Sequence, residues 1–396
     1  MQIWHKSILL TVLILTPLVL SISLSMDIYV PSLPMIINSF HTTQQALQWT
    51  LSIYMFGVGL GQLCFGPITD YLGRRKVVLT GLCFYLFGTL ICILAPSILV
   101  LVIGRLMQSI GTCAALVIAY AVVRDVFDTK ASAKIYSFLN AATALGPVVA
   151  PLLGGYLQLT FGTWRASFIF LFGFAMLSFM TTFYFLTETL PVERRLPISI
   201  PELRQRYRKI FSVSAFVENT YHSSVGMTVL FVFCCISSYL LIQDLHVSQA
   251  QYGLAFASNA ITFILANLIS TRLSHRISLK FPVRCGLFLI ALGSLVMYMM
   301  NRLWGLSVWH FMWPMWIITL GTGLMMGPAV AIALEEFPAM AGTASSVINS
   351  SQFIFAGFFG TLLMLNTITS TLPFDLMMIT LSLLSWLFIV RKPRTE

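Results

Sequence analysis

Two ionisable side chains lie inside long apolar stretches of the sequence, where they could carry out proton chemistry. Asp27 lies in the stretch SLSMDIYVPSLPMI, and Arg105 lies in GRLMQSIGTCAAL. A charge at the centre of a bilayer costs roughly 2.5–3.5 kcal/mol, so a protein must either shield such a residue or use it. Burial favours the neutral form of a carboxyl group and a nearby cation favours its charged form, so an acid whose surroundings change can bind and release a proton. Asp27 and Arg105 are therefore the predicted proton-coupling residues, and the sequence leaves open whether they meet.

The elements that must position these two residues are long apolar runs. Of the 396 residues, 58% are hydrophobic and 9% are charged, whereas soluble domains carry about 25% charged residues. Twelve runs are close to the length of a membrane-crossing helix, are longer than barrel strands, and lack period-two alternation. They cover approximately residues 8–33, 45–68, 76–96, 98–123, 132–158, 164–186, 219–243, 250–272, 281–300, 305–333, 340–366 and 372–390. The sequence therefore predicts an all-α membrane protein with twelve transmembrane helices.

The net charge of +10 is distributed unevenly over this predicted topology. When the N-terminus with Lys6 is placed in the cytoplasm, only Arg165 and Arg302 of the 23 Lys and Arg residues face outside, and Arg105 lies within a span. This asymmetry predicts that both termini are cytoplasmic. Membrane orientation explains the basic excess, so we expect no nucleic-acid partner. No clean cleavage site follows Lys6, so the first run is expected to be an uncleaved helix.

One long polar stretch divides the chain into two halves with six apolar runs each. We expect an N-terminal six-helix bundle over residues 1–187, a cytoplasmic linker over 188–218 and a C-terminal six-helix bundle over 219–396. The stretch GPITDYLGRRK is matched weakly by NLISTRLSHRI 201 residues later, and the pair GT recurs at 111–112 and 321–322. These matches favour a parallel repeat in which two bundles face each other across a central cavity.

The linker contains a predicted amphipathic helix in the stretch SIPELRQRYRKIF. Ser199 and Glu202 fit a capping box with Pro201 in the first turn. One face carries the apolar or amphipathic residues Leu203, Tyr207, Ile210 and Phe211. Such a helix is expected to lie on the inner surface of the membrane. The alternative is a solvated linker with a helical tendency.

Several classes of function are disfavoured by what the chain lacks. It has no G-x-x-x-x-G-K-[ST] phosphate loop, no H-E-x-x-H or G-x-S-x-G motif, and no soluble segment large enough for a nucleotide-binding domain. The seven cysteines have neither metal-ligand spacing nor a pattern that supports disulfides. We therefore expect no enzyme activity, no metal and no cofactor. The remaining classes of function are a channel and a carrier driven by an ion gradient.

The turn after the second run carries the stretch GPITDYLGRRK, with G-x-x-x-D-x-x-G-R-R spacing. Gly66 and Gly73 are expected to permit close approach and unusual backbone angles. Asp70 is expected to accept hydrogen bonds from exposed N–H groups at a helix start, and Arg74 and Arg75 to form a clamp. The alternative is a basic loop that only orients the protein in the membrane.

The fifth run contains the stretch ALGPVVAPLLGGYL, in which small residues and prolines are crowded into one helix. These residues are Gly146, Pro147, Pro151, Gly154 and Gly155. In a membrane bundle this composition predicts a kinked helix with close neighbours. The alternative is that these glycines and prolines serve only the packing of the helix.

These motifs resemble those of the major facilitator superfamily. The loop motif is similar to the one between helices two and three of that family, although Tyr71 stands where Arg or Lys is often found. The R-x-x-Q-x-x-G pattern at Arg105 is similar to the fourth-helix motif, whose arginine takes part in proton transfer. In the family the loop arginine, here Arg74, pairs with an acid at the inner end of the fourth helix, and Asp125 occupies that position. We predict that Arg74 and Asp125 are in contact in one conformation and apart in the other.

The resemblance extends to one branch of that family. The fifth-helix pattern resembles the motif of drug:proton antiporters, which symporters usually lack. The stretches MDIYVPSLPMI, QWTLSIYMFGVGLGQLCFGPITD, VVRDVF and AGTASS resemble the bicyclomycin/chloramphenicol-resistance, or Bcr/CflA, branch of twelve-helix exporters. The second half departs from that branch at Gly327–Pro328, where an asparagine–proline pair is common. The resemblance implies a proton-coupled exporter of drug-like or amphipathic compounds in the bacterial inner membrane.

Polar side chains within the apolar runs are candidates for lining a substrate cavity. They are Tyr29, Gln108, Asn140, Tyr239, Asn259 and Gln352. A hydrogen bond between neighbouring helices is the alternative for each. The expected partners are a small-molecule substrate, protons and the lipid bilayer, and the protein is expected to act as a monomer. The alternatives left open are a dedicated exporter of an endogenous metabolite such as a siderophore or nucleoside, a proton-symport importer, and a non-transporting receptor.

Overall fold

Long helices build the structure in both halves of the chain. The computed structural model describes residues 7–195, 197, 199–274, 276–365 and 370–391, and in these residues it contains helices and no strand. The chain divides into two compact units, Met1–Ile200 and Pro201–Glu396. Lys6, which the charge argument places inside, lies outside the described residues.

The helices are numbered in chain order. Those of the first unit are α1 (Ile8–Asp27), α2 (Leu33–Phe40), α3 (Gln44–Leu72), α4 (Arg74–Leu94), α5 (Ile98–Val126), α6 (Thr129–Phe161) and α7 (Arg165–Phe185). Those of the second unit are α8 (Ile200–Phe211), α9 (Ser214–Ser238), α10 (Gln249–Ser274), α11 (Lys280–Trp304), α12 (Val308–Glu335), α13 (Ala341–Leu363) and α14 (Leu372–Arg391). A π-helical segment, Tyr239–Asp244, follows α9.

The described helices are long and apolar enough to account for the predicted spans. Eleven helical stretches have the length and composition needed to cross a membrane, and Leu372–Phe388 in α14 is a shorter apolar helix. Large apolar side chains are exposed on their outer faces, for example Phe87 at 61%, Leu254 at 65% and Trp309 at 69%. Exposed apolar surface of this extent suits contact with lipid. The prediction of an all-helical membrane fold is confirmed over this part of the chain.

The first apolar run is broken directly after Asp27. Pro31 has no N–H group, so the carbonyl of Asp27 lacks the donor that would continue the helix. A single 3₁₀ turn follows, in which the N–H of Ser32 bonds to the carbonyl of Tyr29 at 2.9 Å. The helix resumes as α2 with Pro34 in its first turn. The break leaves the carbonyl groups at the end of α1 available to other partners.

Glycine residues bring neighbouring helices close together in both units. In the first unit, a Cβ added at Gly111 of α5 would lie 2.5 Å from the carbonyl oxygen of Gly81 on α4. In the second unit, a Cβ added at Gly321 of α12 would lie 2.6 Å from the carbonyl oxygen of Gly286 on α11. Only glycine fits such contacts, so the recurring GT pairs mark equivalent helix crossings in each unit.

The predicted linker helix is present as α8, at the start of the second unit. Ile210 is buried and Leu203 and Tyr207 are half-buried, whereas the basic residues of the helix are exposed. Phe211 is 55% exposed at the end of the same helix. The separation of apolar and basic faces is the pattern expected of a helix at a membrane surface.

Candidate functional site

Arg105 joins three helices at the centre of the first unit. Its side chain is fully buried on α5. Nη1 donates to the carbonyl oxygen of Ser25 on α1 at 2.7 Å, and Nε donates to the carbonyl oxygen of Thr50 on α3 at 3.3 Å. Ser25 lies in the last turn of α1, where free carbonyl groups and the helix dipole both favour a cation. The break after Asp27 therefore creates the binding site for the guanidinium group.

Two tyrosine rings hold the guanidinium group of Arg105. Its central carbon lies 4.6 Å from the ring centre of Tyr29 and 4.2 Å from that of Tyr54. Both distances are in the range of favourable cation–π contacts, which are stronger where water is excluded. The Tyr29 hydroxyl is 3.0 Å from the hydroxyl of Thr50, and the Tyr54 hydroxyl donates to the carbonyl of Ile22 at 3.1 Å. These contacts fix both rings against α1 and α3.

Hydrogen bonds to polar side chains also orient Arg105. Gln108 accepts from Arg105 Nη1 at 2.8 Å through Oε1 and donates to Thr89 on α4 at 2.8 Å through Nε2. The hydroxyl of Ser25 donates to the Tyr85 hydroxyl at 2.8 Å. Nη2 of Arg105 is buried and has no hydrogen-bond partner among the described residues. The Nη2 group of this permanently charged side chain can therefore still donate to a further acceptor.

Asp27 lies at the same helix end as this cluster. It is the last residue of α1, it is 3% exposed, and it is two residues after Ser25, whose carbonyl binds Arg105. Tyr29, which follows Asp27 by two residues, contacts the Arg105 guanidinium group through its ring. The structure therefore places Asp27 and the Arg105 guanidinium group, the two predicted proton-coupling residues, at one end of α1.

The motif on α6 packs against the stretch of α1 that leads to Asp27. A Cβ added at Gly146 would collide with the side chain of Ser23, and one added at Gly154 would collide with the carbonyl oxygen of Ile28. Pro147 removes the N–H group that would bond to the carbonyl of Thr143. The hydroxyl of Ser23 donates to that carbonyl at 3.3 Å. The prediction of close neighbours is thus met by α1 itself.

Further along α6, Gln158 accepts a hydrogen bond from the hydroxyl of Ser32 at 2.7 Å. Ser32 belongs to the 3₁₀ turn after Asp27. Pro151 and Gly155 are buried within the same helix. The whole broken segment of the first run is therefore held by α6.

Arg74 is a buried arginine that forms ion pairs with two more exposed acids at the junction of α3 and α4. Its side chain is 3% exposed, and its Nε lies 2.9 Å from Oδ2 of Asp125 at the end of α5. Its Nη1 lies 2.5 Å from Oδ1 of Asp70 and also donates to the hydroxyl of Thr69. The hydroxyl of Thr189 donates to Asp125 at 3.3 Å. Asp125, predicted from the family resemblance as the partner of Arg74, contacts it in this conformation.

Glu188, and not Asp70, accepts the exposed N–H groups at the start of α4. Its carboxylate accepts from the N–H of Arg74 at 2.9 Å and from that of Arg75 at 3.3 Å. The capping role expected of Asp70 is therefore wrong, because Asp70 lies in the last turn of α3 and faces the Arg74 side chain. A carboxylate at this end of α4 also complements the helix dipole.

Arg75 clamps the end of the sixth spanning helix. Its Nε donates to the carbonyl of Leu186 at 2.8 Å, and its Nη2 donates to the carbonyl of Phe183 at 2.9 Å. A cation that binds the last carbonyl groups of a helix stabilises that end. Arg74 and Arg75 thus tie α3, α5 and α7 to the start of α4.

The two glycines of this motif play different parts. Gly73 is the single residue between α3 and α4 and has φ +95°, a conformation that favours glycine. Gly66 lies inside α3, and open space surrounds the position of an added Cβ among the described residues. The close approach expected at Gly66 is therefore absent among the described residues.

The predicted cavity residues fall into separate places. Tyr29 and Gln108 belong to the Arg105 cluster described above. Asn140 on α6 accepts from the Tyr120 hydroxyl at 2.5 Å, which is a contact between α6 and α5. In the second unit, the hydroxyl of Thr319 donates to Asn259 at 2.7 Å, which links α12 to α10.

The remaining two candidates also lie in the second unit. Tyr239 is fully buried at the first position of the π-helical segment, a type of local distortion that is frequent at functional sites. Gln352 is 7% exposed on α13.

Several site residues are missing from the sequence-based prediction. Tyr54, Tyr85 and Ser25 shape the Arg105 cluster, and Glu188 caps α4. The hydroxyl-bearing residues look like ordinary components of apolar spans, so the sequence gives no signal for them. Glu188 lies two residues after the predicted end of the sixth run, where an acid among the basic residues of the predicted cytoplasmic side is a detectable anomaly. No group of three or more potential metal ligands occurs among the described residues.

Membrane-length helices around a buried arginine cluster define a polytopic helical membrane protein, and comparison with known proteins gives its family. Residues 15–390 match the model of the Major Facilitator Superfamily. The chloramphenicol resistance protein of Pseudomonas aeruginosa is 32% identical over 91% of this chain and 85% of its own length. The bicyclomycin resistance protein homolog of Haemophilus influenzae is 27% identical over 90% of this chain and 89% of its own length. Multidrug resistance protein D of Escherichia coli is 28% identical over 84% and 83%, respectively.

The chain belongs to the major facilitator superfamily, and these three relatives are named as chloramphenicol, bicyclomycin and multidrug resistance proteins. It is accordingly a membrane transporter and not an enzyme. Among solved structures, a D-xylose-proton symporter superimposes with a TM-score of 0.77 at 14% identity, covering 96% of this chain and 98% of that chain. A bacterial homolog of the human lysosomal transporter Spinster gives 0.70 at 16% identity, covering 92% and 82%. These likenesses show the fold alone.

Proposed function

We propose that the protein exports small drug-like or amphipathic compounds in exchange for protons. The observation that carries the proposal is the position of Arg105, which binds the end of α1 two residues from Asp27 and keeps Nη2 without a hydrogen-bond partner in the described structure. A buried cation favours the charged carboxylate and burial favours the neutral acid, so small movements of α1 change the proton affinity of Asp27. The names of the relatives support drugs as substrates.

The proposed cycle uses Asp27 as the proton carrier. Asp27 takes up a proton from the outside, which removes its negative charge and weakens its attraction to Arg105. On the inside, an arriving substrate displaces this proton to water, and the charge of Asp27 is restored beside Arg105. Each transport cycle then moves the substrate outward and a proton inward, so charge and protons balance at Asp27.

The packing of α6 supports antiport. Gly146 and Gly154 press against Ser23 and Ile28, on either side of Asp27 in the first run. A helix held at both sides of the proton site transmits its movement to that site. The geometry thereby couples the antiporter-type motif to Asp27, whereas the fold itself is shared with a proton symporter.

The Arg74 cluster is proposed to act as a latch of alternating access. Arg74 binds Asp125 and Asp70 together, so opening the junction between α3, α4 and α5 must break a largely buried ion pair with Asp125 and a more exposed one with Asp70. A difference of about 1.4 kcal/mol between two conformations changes their equilibrium tenfold, so loss of these contacts can bias it. The contact is proposed to form in one conformation and to separate in the other.

The wider arrangement is also a proposal. Residues 1–187 and 219–396 form two six-helix bundles, joined by a cytoplasmic linker over 188–218 in which α8 lies on the membrane surface. Both termini are cytoplasmic, the protein acts as a monomer, and it resides in the bacterial inner membrane. The bacterial origin of the named relatives supports this location.

Everted membrane vesicles provide the test of proton coupling. Addition of a substrate to energised vesicles should release protons when the wild-type protein is present, and Asp27→Asn should abolish this release. Glu193→Gln, which neutralises an exposed acid, is the matched control and should behave as wild type. Full substrate-dependent proton movement in Asp27→Asn would disprove the assignment.

An efflux screen identifies the substrate class. Cells with and without the protein are exposed to a panel of antibiotics and metabolites, and accumulation is measured with and without a protonophore. Lower accumulation of drug-like compounds, reversed by the protonophore, is expected. Export confined to one endogenous metabolite would favour a dedicated exporter, and uptake instead of efflux would favour a symporter.

A further inference from the structure

A second buried carboxyl group lies in the other unit, far along the chain from Asp27. Asp375 is in the first turn of α14 and is fully buried. An acid in a first turn commonly accepts backbone N–H groups of its own helix. Here the carboxylate is instead bound by a side chain, since the hydroxyl of Thr371 donates to Oδ2 at 2.9 Å. Helix capping therefore does not account for the second oxygen of the group.

A directional chain of hydrogen bonds ends at Asp375. Nδ2 of Asn301, near the end of α11, donates to the carbonyl of Met297 at 2.9 Å and to the hydroxyl of Thr371 at 3.1 Å. The hydroxyl of Thr371 in turn donates to Oδ2 of Asp375. Two buried acceptors, Oδ1 of Asn301 and Oδ1 of Asp375, have no hydrogen-bond partner among the described residues. The cluster lacks a donor, and a proton on the carboxyl group would supply one.

Among the described residues, no ion pair compensates a negative charge at Asp375. The ionisable side chains of the two helices packed against α14 are Lys280, Arg284, Cys285, Tyr298 and Arg302 on α11, and Glu218, Tyr221, His222, Cys234 and Cys235 on α9. A buried carboxyl group without a paired cation is more stable when it is neutral.

The corresponding joint in the first unit is built differently. There the sixth spanning helix, α7, meets the end of the third, α4, as α14 meets α11. Arg165 at the start of α7 donates to the carbonyl groups of Ile93 and Ala95, each at 3.0 Å. That joint rests on a permanent cation and on backbone acceptors. The joint in the second unit rests on Asn301, Thr371 and a carboxyl group, so only this one can respond to a proton.

We propose that Asp375 is a proton-binding site of the protein. In the conformation described, the carboxyl group is protonated and neutral, and the chain Asn301–Thr371–Asp375 joins the ends of α11 and α14. Loss of the proton from Asp375 to water leaves a buried negative charge and loosens this joint. The site is separate from Asp27 and Arg105, and the proposal does not depend on the direction or the proton coupling of transport.

Infrared difference spectroscopy of the full-length protein in lipid nanodiscs tests the proposal. The C=O stretch of a neutral carboxylic acid should be present at pH 7 in the wild type and should lose intensity in Asp375→Asn. Thr371→Val, which removes the hydrogen bond to Oδ2, should shift the same band and keeps the test valid if Asp375→Asn does not fold. Glu193→Gln is the control for an exposed acid and should leave the band unchanged.

The pH dependence of thermal unfolding provides a second test, which reports on the contact between α11 and α14. Raising the pH should lower the thermal unfolding midpoint of the wild type more than that of Asp375→Asn, because the amide remains neutral at every pH. An absent neutral-acid band in the wild type, or one that survives in Asp375→Asn and is unmoved in Thr371→Val, would overturn the proposal. So would a carboxylate band at Asp375 that responds to added Na⁺, which would indicate a cation site instead. Normal proton-coupled export by Asp375→Asn would leave the proposed function intact, so the two proposals can fail separately.

Discussion

Ser23 on α1 donates a hydrogen bond to the carbonyl of Thr143 on α6, the carbonyl group that Pro147 leaves without a helical donor. The proline thus does more than bend α6, since it exposes an acceptor that the neighbouring helix uses. Four residues further along α1 is Asp27. The relationship explains how a glycine- and proline-rich motif on the fifth spanning helix is tied to the acid of the first.

The glycines of α6 should tolerate no side chain where they meet α1. Gly154→Ala places a methyl group against the carbonyl of Ile28, and overpacking of this kind costs about 1–3 kcal/mol. We expect a lower thermal unfolding midpoint in detergent and reduced transport. Gly173→Ala on α7 is the matched control, because no described residue lies within contact distance of a Cβ added there. Equal stability of the two variants would contradict the packing described.

The Arg74–Asp125 ion pair should be sensitive to loss of one partner. Asp125→Asn leaves Arg74 buried with reduced compensation, and we expect transport to fall at least about tenfold, in line with the cost of breaking a buried pair. Neutralising the exposed pair Glu202–Arg206 at Glu202 should change transport little, because exposed pairs contribute about 0–1 kcal/mol. Transport assays on reconstituted protein measure both.

A covalent link tests the movement of the same contact. Cysteines introduced at positions 74 and 125 in a background without the native cysteines should be joined by a bifunctional thiol reagent with a reducible spacer, which spans the distance that the long arginine side chain covers. The cross-link should stop transport, and its reduction should restore the transport of the uncross-linked double variant. The reduced double variant, compared with the singly substituted ones, controls for loss of the ion pair. Transport at full speed in the cross-linked protein would show that the contact does not need to open.

Arg105 should not be replaceable by lysine. A lysine ammonium group lacks the planar fork that reaches the carbonyls of Ser25 and Thr50 while its faces contact two tyrosine rings. We expect Arg105→Lys to reach the membrane, with transport reduced by about 30-fold or more, the loss expected when about 2 kcal/mol or more of contacts are removed. Tyr54→Phe keeps the ring and should lose less. Wild-type transport in Arg105→Lys would reduce the role of Arg105 to its charge alone.

The capping role of Glu188 should be visible in stability. Glu188→Ala removes the acceptor of the Arg74 and Arg75 N–H groups, and loss of a helix cap costs about 0.5–2 kcal/mol. We expect a drop in the unfolding midpoint that Glu188→Gln, which retains an oxygen acceptor, partly avoids. Asp70→Ala should alter transport through Arg74 and leave the start of α4 capped. A larger loss of capping from Asp70→Ala than from Glu188→Ala would reverse this assignment.

The local properties of this protein were predictable from its sequence. Apolar runs of membrane length predict that the spanning elements are helices, since backbone polar groups in lipid must be satisfied within helices. Pro31 predicts a bend close to Asp27, and the rarity of charge in apolar runs singles out Asp27 and Arg105. These inferences use only interactions between residues that are near in the chain.

The partners of these residues were decided by the tertiary structure alone. Nothing in the spacing shows that Arg105 binds the backbone of α1 between Tyr29 and Tyr54, or that Glu188 caps α4 in place of Asp70. Asp375 sits near the start of the twelfth run, where an acid looks like an ordinary boundary residue, and only the packing of α11 against α14 buries it. The sequence indicates which residues are energetically unfavourable in lipid. The packing of helices that are distant in the chain decides which groups stabilise those residues.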